Sequence, residues 1–261
     1  MTSPQHTIDA AGHQDIALTD NARVLSIDIG GSGLKAAILD LNGEMLTERV
    51  RVETPKRLMP DTLLRGLVNL VEPLGAYDVI SVGFPGVVRK GTIITAPNLG
   101  TKELKGYNLQ MALEKQLGKP ARVLNDADMQ GYAAIKGEGI EMVVTLGTGF
   151  GSALFMDGEL APHLEIAHIP FRQGEDYDQQ VGNEARKKIG KKRWNRRVQR
   201  AIKALRILTN FDRLYIGGGN SDKLTFKLEP DVQVISNEYG VRGGAWLWRS
   251  KVTSNQGESD E

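Results

Sequence analysis

The chain has 261 residues, with 33 Lys and Arg against 32 Asp and Glu, and no cysteine. That length fits one large domain or two modest ones with a substantial core. A formal net charge of +1 supplies no global field for nucleic acid or a membrane, and a cysteine-free chain excludes disulfides and thiolate zinc sites and suits a reducing cytoplasm. No apolar run approaches the roughly 18–20 residues of a membrane-spanning helix. Residues 1–21 are polar, with no basic start leading into an apolar stretch, so they read as a disordered tail without a signal peptide.

The folded region opens with apolar strands over Val24–Ile29, Leu34–Leu41 and Met45–Val52. The turn Gly30-Gly31-Ser32-Gly33 joins the first two. A helix from Pro60 to Leu74 follows, with Leu63, Leu64, Leu67, Val68 and Val71 at helical spacing. A buried strand over Asp78–Gly83 runs into Phe84-Pro85-Gly86. A second helix, Leu109 to Leu117, stops at Gly118, and a strand over Ala121–Leu124 delivers Asn125-Asp126. The pattern then repeats. Met142–Leu146, the turn Gly147-Thr148-Gly149-Phe150-Gly151 and Ser152–Met156 begin a second meander that reaches residue 160. Hairpin signals close the matching strands of both halves, Asn42-Gly43 and Asp157-Gly158. An irregular stretch, 162–182, leads to a basic helix over 181–210 that breaks at Gly190. A strand over Asp212–Ile216 runs into Gly217-Gly218-Gly219. A strand over Val232–Ser236 and a helix over 240–251 finish the fold, and residues 252–261 read as a second disordered tail. This order is mixed α/β with a pseudo-repeat. It resembles two ribonuclease-H-like lobes with a cleft between them, the architecture of the actin, hexokinase and Hsp70 superfamily. The expected division is 22–122 with 240–251 in the N-terminal lobe and 123–239 in the C-terminal lobe.

Glycine turns let backbone N–H groups reach anionic oxygens. The matched pair here, Gly30, Gly31, Ser32 and Gly33 with Lys35, and Gly147, Thr148, Gly149 and Gly151, suggests a clamp on a phosphate chain. Each turn alone reads equally well as a plain hairpin. The first is not a Walker loop, since no Gly-Lys-Ser/Thr ends it, and a strand rather than a dinucleotide-fold helix follows it. Asp28 stands where it could hold a hydrated Mg²⁺ beside phosphates, or simply cap the turn. Phosphoryl transfer needs alignment, charge neutralisation and a base near the attacking hydroxyl. Asp126 suits the base and Asn125 the alignment, with an Asx turn or helix cap as the alternative. Glu165 and His168, polar among apolar neighbours, suit sugar hydroxyls or form a surface pair. Gly217-Gly218-Gly219 lets a nucleotide base approach the backbone, or is a strand-to-helix turn.

The sharpest shift in composition lies between Arg186 and Arg206, with eleven Lys and Arg and no acid. Ile189, Trp194, Val198, Ala201, Ile202 and Leu205 recur there at near-helical spacing. Such a helix packs on one side and is cationic on the other. Lys192, Arg193, Arg196, Arg197 and Arg200 then form a track for a long polyanion, by the counterion release that governs nucleic-acid binding, or a solvated face.

In order along the chain, Asp28-Ile29-Gly30-Gly31-Ser32-Gly33-Leu34-Lys35, Gly83-Phe84-Pro85-Gly86-Val87-Val88-Arg89, Ala96-Pro97-Asn98-Leu99, Leu124-Asn125-Asp126-Ala127-Asp128, Leu146 to Gly151, Glu165-Ile166-Ala167-His168, Tyr215 to Gly219 and Asn237-Glu238 resemble the motifs of the ROK family of sugar kinases. Within it they resemble the polyphosphate-using glucokinase branch. The resemblance implies glucose or a close hexose as acceptor, with Asp126 taking the 6-hydroxyl proton. It implies that Asn98, Asn125, Glu165, His168 and Asp178 hold the sugar. The two turns would take the phosphates of polyphosphate or ATP with Mg²⁺. A cytoplasmic homodimer is implied too. Many members carry a cysteine-rich zinc motif after the histidine. Phe171-Arg172-Gln173-Gly174-Glu175 stands there instead, so no zinc is expected, as in the polyphosphate-using branch. The family's Glu-x-Gly-His reads Glu165-Ile166-Ala167-His168, and the added methyl tightens the sugar pocket. An ATP-dependent kinase for another hexose is one alternative, and a non-catalytic sugar sensor or transcription regulator is another. Regulators of the family carry a DNA-binding domain before the first strand, and none is expected here. No nucleic-acid or membrane partner is expected.

Overall fold

Val24, Leu25, Ile27 and Ile29 of β1 (Val24–Ile29) are completely buried, because this strand sits at the middle of a five-stranded sheet covered on both faces. The computed structural model describes residues 16, 18–55, 58–97, 99–236 and 239–248. Residues 1–15 and 17, the second tail, Asn98, Asn237-Glu238 and the end of the last expected helix lie outside the described residues, whereas Ile16 and Leu18, inside the expected first tail, pack on the cluster around Val24 and Trp248, so order begins before residue 22.

The first sheet runs β3-β2-β1-β4-β7, built from β1, β2 (Leu34–Leu39), β3 (Val50–Val52), β4 (Val79–Phe84) and β7 (Ala121–Asn125). Two short strands, β5 (Val88–Arg89) and β6 (Thr92–Ile93), form a separate ribbon. The second sheet runs β10-β9-β8-β13-β14, from β8 (Ile140–Leu146), β9 (Phe150–Met156), β10 (Glu159–Leu160), β13 (Arg213–Gly217) and β14 (Val232–Val234). Each sheet has two antiparallel pairings on one side of its central strand and two parallel pairings on the other. The pseudo-repeat in the sequence is therefore a repeat of topology. The register places Asp28 opposite Lys35 in the first sheet and Thr145 opposite Gly151 in the second.

On one face of the first sheet lie α1 (Pro60–Val71) and α3 (Leu109–Leu117), with a short α2 (Thr101–Leu104) between them in sequence. Asn108 caps α3 by accepting from Met111 N–H, and Gly118 ends it in the left-handed conformation. On one face of the second sheet lie α5 (Tyr177–Val181), α6 (Asn183–Ile189) and α7 (Lys191–Thr209). A ribbon of β11 (Pro170–Arg172) and β12 (Glu175–Asp176) precedes them. Trp194 of α7 is fully buried and donates its indole N–H to Val181 O at 2.7 Å. Truncating such a side chain to Ala costs roughly 3–5 kcal/mol.

The remaining helix, α4 (Asp126–Ala134), is wedged between the sheets, against β4 on one side and β8 and β9 on the other. Ala127, Asp128, Met129, Gln130 and Gly131 are all buried. The sequence reading has no helix here. A helix buried all round shows no apolar stripe, which is the signal that periodicity depends on. The last described segment, α8 (Tyr239–Arg242) and a 3₁₀ turn over Gly243–Trp248, covers α4 and the second face of the first sheet. Ser26 Oγ donates to Val241 O at 2.5 Å, Ser81 Oγ to Gly244 O at 2.6 Å, and Trp248 Nε1 to Ser81 Oγ at 2.8 Å. A Cβ on Gly243 would collide with the Met129 carbonyl, so only glycine lets this segment pack so close to α4, and the segment is 3₁₀ where a longer helix was expected.

Other boundaries also shift. The expected strand from Met45 keeps a single bridge to Leu39 and becomes regular only at Val50. The helix from Pro60 ends at Val71 and continues as a 3₁₀ turn to Leu74. The basic helix does break at Gly190, whose φ is +77°, and its first half starts at Asn183. The stretch 162–182 is not irregular throughout, since it holds a 3₁₀ turn, the β11–β12 ribbon and α5.

Candidate active site

A cavity of about 390 Å³ opens between the two sheets, where both glycine turns and the first residue of α4 meet. Asp28, Gly30, Gly31, Ser32 and Lys35 line it from the first turn, and Gly147, Thr148, Gly149 and Gly151 from the second. Asn125, Asp126, Glu165, His168, Asp178 and Gly218 complete the expected set. Gly33, Gly217 and Gly219 lie off the lining, as do Lys192, Arg193, Arg196, Arg197 and Arg200. Arg49, Gln130 and Thr145 line the cavity without having been singled out in the sequence.

The turns face each other, for a Cβ placed on Gly31 would sit 3.6 Å from Thr148 Oγ1. In the first turn Gly30 N–H closes onto Gly33 O at 3.0 Å. Gly30 O accepts from Thr54 Oγ1 at 2.6 Å and Ser32 O from Arg51 Nη2 at 3.2 Å. In the second, Gly147 N–H closes onto Gly149 O at 3.0 Å. Gly147 O accepts from Asn220 Nδ2 at 3.1 Å and Thr148 O from Asn183 N–H at 3.2 Å. None of these four outside partners lines the cavity. The carbonyl oxygens are thus held outward, an arrangement that favours an anion on the inner side. Asp28 pairs with Lys35 at 2.7 Å at the mouth of the first turn.

Asn125 caps α4. Its Oδ1 accepts from Ala127 N–H at 2.8 Å and Asp128 N–H at 3.3 Å, and its Nδ2 donates to Gly86 O at 3.1 Å. Its amide is therefore committed to the cap, the alternative reading, although the residue still lines the cavity. Asp126 is the first residue of α4. Burial pushes its carboxyl up to about 7, reinforced by the negative charge of Asp28 and partly offset by the Ala127 N–H. A carboxyl that titrates near neutrality is suited to taking a proton.

Beyond Asp126, His168 Nδ1 lies 3.3 Å from Asp176 Oδ2, which orients the ring. Asp178 accepts the N–H of Phe150 and so is tied to the second turn. Burial raises its carboxyl, partly offset by that N–H and by His168. Behind Glu165 stands a residue that the sequence reading missed, His163. Its Nδ1 is 3.0 Å from Asp128 Oδ2, and its Nε2 is 3.7 Å from Glu165 Oε2. Burial alone would lower this imidazole, but Asp128 and Glu165 outweigh it and carry His163 up to about 10. The pair lies 35 residues apart in sequence, so no local pattern announces it.

The basic helix pair begins beside the clamp. Asn183, first residue of α6, is the one bonded to Thr148 O. Along α7, Lys192, Arg193, Arg196 and Arg200 are exposed, and none of them is in an ion pair among the described residues. Arg197 is half-buried and donates to Gln180 O at 3.3 Å.

The ROK family model matches residues 24–172. The chain belongs to the ROK family. It is 31% identical to the polyphosphate glucokinase of Mycobacterium leprae (strain TN), over 90% of this chain and 77% of that protein. It is 30% identical to the polyphosphate glucokinase of Mycobacterium tuberculosis (strain ATCC 25618 / H37Rv), over 84% of this chain and 88% of that protein. Among solved structures it is similar to the inorganic polyphosphate/ATP-glucomannokinase from Arthrobacter sp. strain KM, at 31% identity and a TM-score of 0.80, covering 87% of this chain and 98% of that one. The family resemblance read from the ordered motifs, and the two-lobed fold it implied, are borne out. No helix among the described residues is long and apolar enough to cross a membrane.

Proposed function

We propose that the protein is a glucokinase that transfers a phosphoryl group from inorganic polyphosphate, or from ATP, to the 6-hydroxyl of glucose. The observation that carries this reading is the position of Asp126, on the first turn of a helix aimed into the gap between two facing glycine turns. Asp126 accepts the 6-hydroxyl proton as that oxygen bonds to phosphorus and the bond to the leaving phosphate breaks. Backbone N–H groups of both turns, with Lys35, hold the donor. Glu165, His168 and Asp178 take the sugar hydroxyls. Asn98 belongs to this set by the family resemblance, and Asn125 contributes by holding the helix start. Gly217, Gly218 and Gly219 are proposed for the nucleotide when ATP is the donor, with Gly218 the member at the cavity.

Mg²⁺ binds through one or two carboxylates and substrate phosphates and keeps several waters. Asp28 offers one such carboxylate at the cavity, close enough for its charge to raise Asp126; among the described residues no cluster of three or more His, Asp or Glu stands ready for a metal, so the other ligands would be donor phosphates and water. When bound, the ion supplies neutralisation of charge on the transferring group. Lys35 holds the Asp28 carboxylate in place.

Polyphosphate runs from the second turn along α6 and α7, over Lys192, Arg193, Arg196, Arg197 and Arg200. This assignment draws on the bond between Asn183 and Thr148 and on Lys192, Arg193, Arg196 and Arg200, which are exposed and in no ion pair among the described residues. We take the two sheets with their covering helices as the two lobes of each subunit of a cytoplasmic homodimer; the expected split into 22–122 with 240–251 and 123–239 shifts to the end of β7, because Val123–Asn125 still pair with β4 in the first sheet. The deciding experiment is product formation from glucose and Mg²⁺ with ATP and long-chain polyphosphate side by side. Mannose is tested too, because the Arthrobacter relative is named a glucomannokinase. Sugar phosphate from polyphosphate supports the reading, and no product from either donor refutes it.

A further inference from the structure

Three titratable side chains form a row behind the sugar end of the cavity, and the proton transfer assigned to Asp126 uses none of them. Asp128 stands two residues after Asp126 on α4 and is 3% exposed. Both its oxygens are within reach of His163 Nδ1, at 3.0 and 3.2 Å. Across the imidazole, Nε2 faces Glu165 Oε2 at 3.7 Å, too far for a hydrogen bond. Both of those atoms are buried and have no hydrogen-bond partner among the described residues. A buried donor and a buried acceptor left open toward each other cost free energy that a small approach would recover.

We propose that His163 is the positioning residue of the acceptor site: held by Asp128, it closes its Nε2 onto Glu165 Oε2 when the sugar binds and so fixes the sugar-binding carboxylate relative to the helix that carries Asp126. The inference rests on the sugar-kinase reading of the cavity. Its chemistry follows from the two atoms. An imidazolium on Oε2 holds that oxygen and leaves Oε1 as an acceptor for hydroxyl donors. With Asp128 on the opposite nitrogen, the ring cannot turn without breaking a buried charged hydrogen bond. Glu165 then cannot swing without losing its partner, and sugar and base keep one frame of reference. The charged groups around this row are Asp126 on α4, Asp178 on α5, which senses both Glu165 and His168, and His168 itself. His168 has its own carboxylate, Asp176, but that ring is 39% exposed against 14% for His163, so it is held less firmly.

The test pairs kinetics with a spectroscopic readout. His163→Asn alone leaves Asp128 buried without its counter-charge and is prone to misfold. The informative variant is therefore the double one, Asp128→Asn with His163→Asn, which removes both charges. Its KM for glucose is expected to rise roughly tenfold to a hundredfold, the scale of one charged hydrogen bond, with KM for the phosphate donor little changed. In the wild-type protein at about pH 8, a ¹⁵N–¹H spectrum should show His163 as an imidazolium, and its Nε2 proton should shift when glucose is added. A merely structural role would move melting temperature and leave both readouts alone. A folded double variant with wild-type KM for glucose, or a neutral His163 at that pH, overturns the proposal. The two readings fail separately. A wild-type protein that phosphorylates no sugar strikes the kinase assignment, whereas an unaffected variant beside an active wild type strikes this inference alone.

Discussion

The first glycine turn is braced by side chains of an edge strand and the residues after it, Arg51 on Ser32 O and Thr54 on Gly30 O. The second is braced from within, by buried Asn220 on Gly147 O and by the backbone of α6 on Thr148 O. The register makes the contrast sharper. Where the first turn has the Asp28–Lys35 ion pair, the second has Thr145, whose Oγ1 accepts from Gly151 N–H at 3.1 Å. Cations gather at the first turn, with Lys35 and Arg49 both in the lining, and carboxylates at the second, with Asp178 on Phe150 N–H and Glu165 nearby. One topology has thus been specialised twice. In the function proposed above, the first copy would meet the charge of the donor and the second would set donor phosphates beside a polar acceptor.

The largest expected effect falls on the group that both turns serve. Asp126→Asn should lower kcat roughly 10²–10⁴-fold, with glucose affinity by calorimetry nearly unchanged. In the wild type, turnover should rise with pH through about 7, because Asp126 must be ionised to accept the proton and burial holds its carboxyl up to about 7. A rate that is flat across that range would remove it as the base.

Gly149→Ala and Gly31→Ala compare the turns directly. A Cβ on Gly149 would meet Asp178 Oδ1 at 2.5 Å, whereas one on Gly31 would make an ordinary 3.6 Å contact with Thr148. Displacing Asp178 should raise KM for glucose roughly tenfold to a hundredfold, while Gly31→Ala leaves it within about threefold. Equal effects on glucose would erase the asymmetry.

A smaller effect is expected from Arg193→Gln, Arg196→Gln and Arg200→Gln combined. Affinity for long polyphosphate should fall and its salt dependence flatten by up to about three charges' worth of slope, with KM for ATP unchanged. Parallel losses for both donors would make α7 a solvated face.

The smallest effect concerns stability. Fully buried Glu141 of β8 accepts from the N–H groups of Lys136, Gly137 and Glu138 and from Tyr215 Oη. Burial alone would raise its carboxyl, but these bonds outweigh it and hold it below the usual range. Its stabilisation is present above the unfolded carboxyl value of about 4.3 and is lost as pH falls through the folded value. Glu141→Gln should lower melting temperature at neutral pH, and the gap to wild type should close in acid.

Strands and turns were legible because apolar runs and glycines are local signals. Val24–Ile29 and the stop at Gly118 stand as read. So does the break at Gly190. Helix α4 was invisible because Ala127 to Gly131 are buried on every side. The braces on the turns were invisible for a different reason. Arg51 lies 19 residues from Ser32 and Asn220 lies 73 from Gly147, so only the fold brings them together. The same holds for His163 and Asp128. For Asn125 the sequence offered both a sugar contact and a helix cap, and only the fold shows Oδ1 taking the N–H groups of Ala127 and Asp128.

The bonds from Ser26 to Val241 and from Ser81 to Gly244 span 215 and 163 residues. As the chain leaves the ribosome, α4 is therefore the first cover for this face of the first sheet, and the cover is completed only when Trp248 has emerged. Until then the growing chain carries part of that apolar surface uncovered.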